Sequence, residues 1–294
     1  MNLSVKLPEI EMKIIGHQKN INFLNKSFEK NNPAQAYLFS GPEHVGKFTV
    51  AMELARKLTD GKNRKINPDI MVVSPEKDIK IGQIRDLQHW LGLSSYFGKY
   101  KVAIIDDAEK LTLSAQNALL KLLEEPREKC VLILVCHDQK KILPTVKSRC
   151  AIRPFGLVEK SQISQIVSQE KNKEEIIFWS LGRPGAAVSL KEKEGELASK
   201  KEAEKELERM FRSSLNDRFV SAEILSKNSV DLINKLDLWT VILRENVLRR
   251  NNFKGVSSEK AMDLIDRIAE SLSIVKETNS NARLVLENLF LNFS

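Results

Sequence analysis

Between Ile14 and about Phe155, short apolar runs alternate with stretches of helical period. "INFLNKSFEK" is followed by "AYLFSG", "TVAMELARKLTDG", "DIMVV", "IGQIRDLQHWLGL", "KVAIIDD", "LSAQNALLKLLEE" and "CVLILVC". Periods near 2 and 3.6 taking turns along a chain predict a parallel sheet with helices on both faces, because parallel neighbours need a crossover that a helix supplies. Beyond Phe155 the strand-like runs stop, and long charged helices fill the sequence from about Leu197 onward. The "GRPG" turn at 182–185 separates two helical patterns, and the mixed-charge run "KEKEGELASKKEAEKELERM" has the period of a solvated helix. The expected organisation is an α/β domain over 1–156, a small helical segment over 157–194 and an all-α unit over 195–294.

The loop "GPEHVGK", residues 41–47, stands between a strand-like run and a helix-like one. Gly41, Gly46 and Lys47 have the Walker A spacing, in which successive backbone N–H groups and a helix N-terminus face a β-phosphate and the lysine neutralises its oxygens. Phe48 occupies the position where that loop carries a Ser or Thr hydroxyl for Mg²⁺. Thr49 is no substitute, since one helical step turns a side chain by roughly 100°. The alternative is a tight glycine-bearing turn with an exposed lysine.

A second constellation is "KVAIIDDAEKLTLSAQNALLKLLEEP", residues 101–126, where an apolar strand ends in two carboxylates. Asp106 has the place of a Walker B metal ligand. Asp107 has that of the Glu that polarises the attacking water, and is one methylene shorter. Two aspartates capping a strand-end turn would leave the same trace.

Together, "GHQKNINFLNKSFEKNNPAQAYLFSGPEHVGK", the 101–126 stretch and "LPTVKSRC" at 143–150 resemble the clamp-loader branch of the AAA+ ATPases, and within it the delta-prime family of bacterial DNA polymerase III. "NARLVLENLFL" at 281–291 is similar to the closing helix of that family's collar domain. The resemblance implies an α/β P-loop AAA+ domain, a helical lid and an all-α collar for oligomerisation. The implied partners are the gamma/tau and delta subunits, the sliding clamp and primed DNA, within a DNA-directed DNA polymerase holoenzyme. For Arg149 of the SRC motif it implies an arginine finger reaching ATP held by a neighbouring subunit, where a planar guanidinium stabilises charge on the γ-phosphate.

Measured against that family, Cys136 and His137 replace a polar sensor pair at the end of "LILVCH", and Gly185 stands where the lid carries an arginine, with Arg183 out of register. Phe48, Asp107, Cys136 and Gly185 thus depart from the pattern in separate parts of one ATP site. The expectation is a subunit that holds ATP or ADP with Mg²⁺ weakly or not at all and hydrolyses none. The other reading is an active clamp-loader ATPase of gamma/tau type or a related replication ATPase, which Lys47 and Asp106 keep open.

The remaining signals are weaker. Three cysteines, Cys130, Cys136 and Cys150, lack the spacing of a zinc site or a disulfide framework, and the segment "TDGKNRKINPDIMVV" has none, so zinc is not expected. His17, His44, His89 and His137 are scattered and read as surface or capping residues. A net charge of +8 suits a polyanionic partner. Lys80, Arg85, Lys110, Lys121, Lys140, Lys141 and the helix start at Thr112–Ser114 are the candidates for DNA contact, while Trp90, Tyr96 and Phe97 read as packing residues. The opening "MNLSVKLPEIEMKIIG" has no apolar run long enough for a signal core or a membrane span, which predicts a cytoplasmic protein.

Overall fold

The structure, a computed structural model, describes residues 14–29, 33–59, 67–75, 77–97, 99–249, 256–277 and 280–293. The opening stretch up to residue 13 and positions 60–66 of the cysteine-free segment lie outside the described residues. The chain falls into two compact units, divided between Glu192 and Lys193.

The first unit holds strands β1 (Ala36–Ser40), β2 (Ile70–Val73), β3 (Lys101–Ile105), β4 (Cys130–Cys136) and β5 (Ala151–Pro154). They form one parallel sheet in the order β2-β3-β4-β1-β5. Helices α1 (Gln18–Glu29), α2 (Lys47–Leu58), α3 (Ile81–Leu91), α4 (Leu113–Glu124), α5 (Pro144–Lys147), α6 (Lys160–Ile163), α7 (Lys173–Ser180) and α8 (Pro184–Glu192) accompany it. The alternation along β1 explains the two layers of core. Tyr37 and Phe39 enter a cluster with Leu24 of α1 and Val50, Ala51, Leu54 and Leu58 of α2. Ala36 and Leu38 enter the opposite cluster, with Ile84 and Leu87 of α3 and Ala115 and Leu119 of α4. Every residue of β1 is buried, as a central parallel strand covered on both faces requires.

Strand β5 is not marked by any apolar run in the sequence. It pairs with β1 alone, its residues alternate between half-buried and exposed, and its Pro154 is tolerated because an edge strand leaves one side of the ladder open.

The second unit is all-helical: α9 (Glu194–Arg212), α10 (Leu215–Leu225), α11 (Ser229–Arg249), α12 (Ser258–Glu277) and α13 (Ala282–Leu291). Trp239 stacks near Phe290 and Phe293, each centroid 6.1 Å away, and its indole N–H donates to the Ala203 carbonyl. Arg218 is buried here, and its guanidinium donates to the carbonyls of Met210, Phe211 and Phe290. No helix among the described residues is long and apolar enough to cross a membrane.

Candidate functional site

In a parallel sheet the carboxyl ends of the strands share one edge, and ligands of such folds bind there. The loop after β1, Asp106 after β3 and His137 after β4 all stand at that edge, with Ser40 in register with Cys136. The loop has a built shape. Gly41 has φ 144°, and a Cβ on it would lie 1.9 Å from the Phe155 carbonyl oxygen, so only glycine lets β1 turn so close to the exit of β5. Gly46 has φ 100° directly before α2 and faces open space, as a phosphate cradle requires.

Lys47 is only 7% exposed, which removes the reading of an exposed turn lysine. Its ammonium donates to the carbonyls of Gly41 at 2.8 Å and Pro42 at 2.7 Å, and burial lowers its pKa. Three further ties fix the loop. His17 Nε2 lies 2.8 Å from the Val45 carbonyl oxygen, with burial holding the imidazole below its usual pKa. The Gly185 amide, in the first turn of α8, donates to the His44 carbonyl. Gln139 Nε2 donates to Ser40 Oγ beside it.

Phe48 follows Lys47 and packs against the core cluster of α1 and α2. The cradle therefore fits a phosphate, while the donor set does not fit a Walker-type Mg²⁺ site, whose hydroxyl is replaced by a half-buried ring packed against the core. Asp106 is half-buried, and its carboxyl is pushed up to about 6, mainly by burial and then by the neighbouring charge of Asp107. Asp107 adopts a left-handed backbone with φ 48° and pairs with Lys110 at 2.9 Å. It does not approach the loop as a free carboxylate.

Cys136, in place of a polar sensor, is buried, and its thiol is pushed up to about 12 by burial and Glu109. Gly185 in place of the lid arginine is packed on the loop, where a Cβ would lie 2.9 Å from the His44 oxygen. All three cysteines are free thiols.

Two features of the edge were not evident in the sequence. Glu109 is buried, and His137 is half-buried, not the surface or capping residue its isolation in sequence suggested. His137 Nδ1 meets Glu109 Oε1, and its Nε2 faces Glu43 Oε1 of the phosphate loop at 3.4 Å. Residues 28 positions apart carry no local signal of such a contact.

Arg149 is not part of this edge. It lies two residues before β5, among the residues that open β1, so it stands at the amino ends of the strands. The five residues of β1 alone put roughly 13–17 Å between those ends and the loop. Its guanidinium is exposed, pairs with Glu124 at the end of α4 at 2.8 Å, and donates to the Thr145 carbonyl at 3.1 Å. Among the DNA-contact candidates, Lys80, Arg85, Lys121, Lys140 and Lys141 are exposed, and Lys110 is held by Asp107. Thr112 caps α4 by accepting from the Ala115 amide. Trp90 packs against the core under the Lys101 ammonium, and Tyr96 is exposed.

A family model described as "DNA polymerase III, delta subunit" matches residues 16–158, which contain the whole sheet and the loop. The chain is 35% identical over 136 residues to DNA polymerase III subunit delta' of Pseudomonas aeruginosa, a match covering 40% of this chain and 42% of that one. It is 30% identical over 304 residues to the replication factor C small subunit of Methanococcus vannielii, covering 94% and 93% of the two chains. The matched part thus spans less than half of the Pseudomonas relative and nearly all of the archaeal one. Among solved structures, a DNA polymerase III gamma subunit-related protein of Thermotoga maritima shares the fold, with a TM-score of 0.50, 21% identity and coverage of 93% of this chain and 98% of that one. With the parallel sheet, the glycine-lysine loop and the strand-end aspartates already in place, these similarities identify the family: the chain belongs to the clamp-loader family of AAA+ proteins.

Proposed function

We propose that this chain is a non-hydrolysing, delta'-like subunit of a DNA polymerase III clamp loader, which helps load the sliding clamp onto primed DNA. It acts beside gamma/tau and delta subunits and supplies Arg149 in trans to a neighbour's ATP. The observation that carries the reading is Phe48, half-buried against the core at the position of the metal hydroxyl. A hydrolytic site needs metal and water placed within a fraction of an ångström, whereas a bare cradle and one cation suffice to hold a phosphate.

In this reading Gly41, Gly46 and Lys47 keep the shape of the loop and hold ATP or ADP weakly or not at all. Asp106 and Asp107 are remnants of a metal and water site. The 157–194 segment is the lid and the 195–294 helices are the collar through which the subunits join. The position of Arg149 on the edge away from its own loop supports a role at another subunit, where its guanidinium would stabilise charge on that subunit's γ-phosphate oxygens. Cysteine-ligated zinc has no part in this reading.

The test is ATP turnover by the purified chain and by the reconstituted loader with clamp and primed DNA. The chain alone is expected to be inactive. An Arg149→Ala loader is expected to lose at least 10-fold of its stimulated turnover, and unchanged turnover would remove the finger role. The full-length similarity to a replication factor C small subunit favours a second reading, an active ATPase. Hydrolysis by the chain that vanishes in Lys47→Ala would establish that reading instead.

A further inference from the structure

The carboxylates and imidazole at the strand-end edge are more than an ion pair in arrangement. Asp107, Glu109 and His137 each offer a ligand atom, and these atoms all lie within 4.8 Å of one another. Glu109 Oε2 belongs to a side chain only 2% exposed and has no hydrogen-bond partner. A buried carboxylate oxygen without a partner is costly, because it loses water and gains nothing in return. The single imidazole meets the other oxygen of that carboxylate, Oε1, through Nδ1. On its far side, Nε2 faces Glu43. A carboxylate behind a histidine, orienting the ring so that its other nitrogen can ligate, is the usual outer partner of a metal-bound imidazole.

We infer that Asp107, Glu109 and His137 form a site for a divalent transition metal of the zinc, cobalt or nickel class, with Glu43 orienting the histidine from behind. Two carboxylates and one imidazole suit these ions, since the nitrogen ligand sets them apart from the all-oxygen preference of Mg²⁺. Three protein ligands leave a fourth position for water or a phosphate oxygen. Bonds near 2.1 Å in a tetrahedron set the ligand atoms about 3.4 Å apart, so His137 Nδ1 and Glu109 Oε1 must part to admit the ion. Asp107 must also exchange Lys110 for the metal, and that pair is 41% and 39% exposed on its two sides. The site shares Asp107 with the strand-end aspartate pair, but it uses neither Asp106 nor a hydroxyl after Lys47 and needs no nucleotide. It is independent of whether the chain hydrolyses ATP.

The full chain, stripped with chelator and free of nucleotide, is titrated with Co²⁺ and followed by visible absorption, with Zn²⁺ added afterwards as competitor. One equivalent of Co²⁺ is expected to bind and be displaced by Zn²⁺. His137→Ala and the isosteric Glu109→Gln should each weaken binding at least 10-fold, and Glu43→Gln about 10-fold. His89→Ala, at an exposed histidine on α3, and Cys136→Ala should bind as the parent does. Three outcomes overturn the site: parent-like affinity in His137→Ala, a thiolate-to-cobalt band that disappears in Cys136→Ala, or no cobalt spectrum at millimolar metal. The last would leave a histidine held between two carboxylates.

Discussion

The amide of Gly185 donates to the carbonyl of His44 at 2.8 Å, so α8 is fastened to the phosphate loop by main chain alone. Such an approach needs a residue without a side chain, because the nearest loop atoms are backbone. A Gly185→Ala chain places Cβ 2.9 Å from the His44 oxygen and 3.3 Å from its Cα. The contact must open, at a cost of about 1–2 kcal/mol. Urea unfolding would give the loss of stability, and faster hydrogen exchange at the residue 185 amide would locate it.

The glycines of the loop are expected to respond very differently. Gly41→Ala drives Cβ to 1.9 Å from the Phe155 oxygen, at φ 144°, and should destabilise by about 3 kcal/mol or more. Gly46→Ala meets no atom within 4 Å and suffers only its left-handed backbone, about 1–2 kcal/mol. Denaturant midpoints of the two variants should rank in that order.

Restoring the missing hydroxyl is expected to bring no activity. Phe48→Thr removes a half-buried ring from the α1/α2 cluster and should cost about 2 kcal/mol. Asp107 remains paired with Lys110, and Cys136 and Gly185 remain in the sensor positions. ATP turnover by this variant, measured with and without partner subunits, should stay at background.

Arg149 and Glu124 form an exposed pair, so Arg149→Ala should change the unfolding free energy by no more than about 0.5 kcal/mol. A fall in loader turnover without a fall in stability would separate the finger role from a folding role.

Burial pushes the Cys150 thiol up to about 12. At pH 8 the thiolate fraction is then about 10⁻⁴, against roughly a quarter for an unperturbed thiol, and alkylation should run at least ~10³-fold slower in the folded than in the unfolded chain. The folded state holds this proton more tightly than the unfolded one. The contribution to stability is therefore full below the unfolded pKa and falls as pH rises from about 8.5 toward 12. Mass spectrometry of iodoacetamide-treated protein, with and without urea, reads the difference.

The sheet and the loop were legible because their signals are local. Period-2 runs such as "AYLFS" divide their side chains between two covered faces, and the Gly41–Lys47 spacing sits where strand gives way to helix. Strand β5 was not legible, since "AIRP" draws its structure from pairing with β1 and not from its own pattern. The cluster around His137 was equally hidden. Glu43, Glu109 and His137 come from three separate segments, and only the order of the strands brings them to one edge. Phe48 was visible as a departure, but its packing against the α1/α2 cluster follows from how α2 lies on the sheet.

With its phosphate loop at the carboxyl edge of the sheet and Arg149 at the amino edge, the first unit has a head and a tail. Units that join head to tail make heterologous contacts, and a row built that way extends until something stops it. A member whose arginine can serve a neighbour, but whose own loop gives a neighbour's arginine nothing to act on, stops the row in one direction only. Under the proposed function such a subunit would set where the row begins.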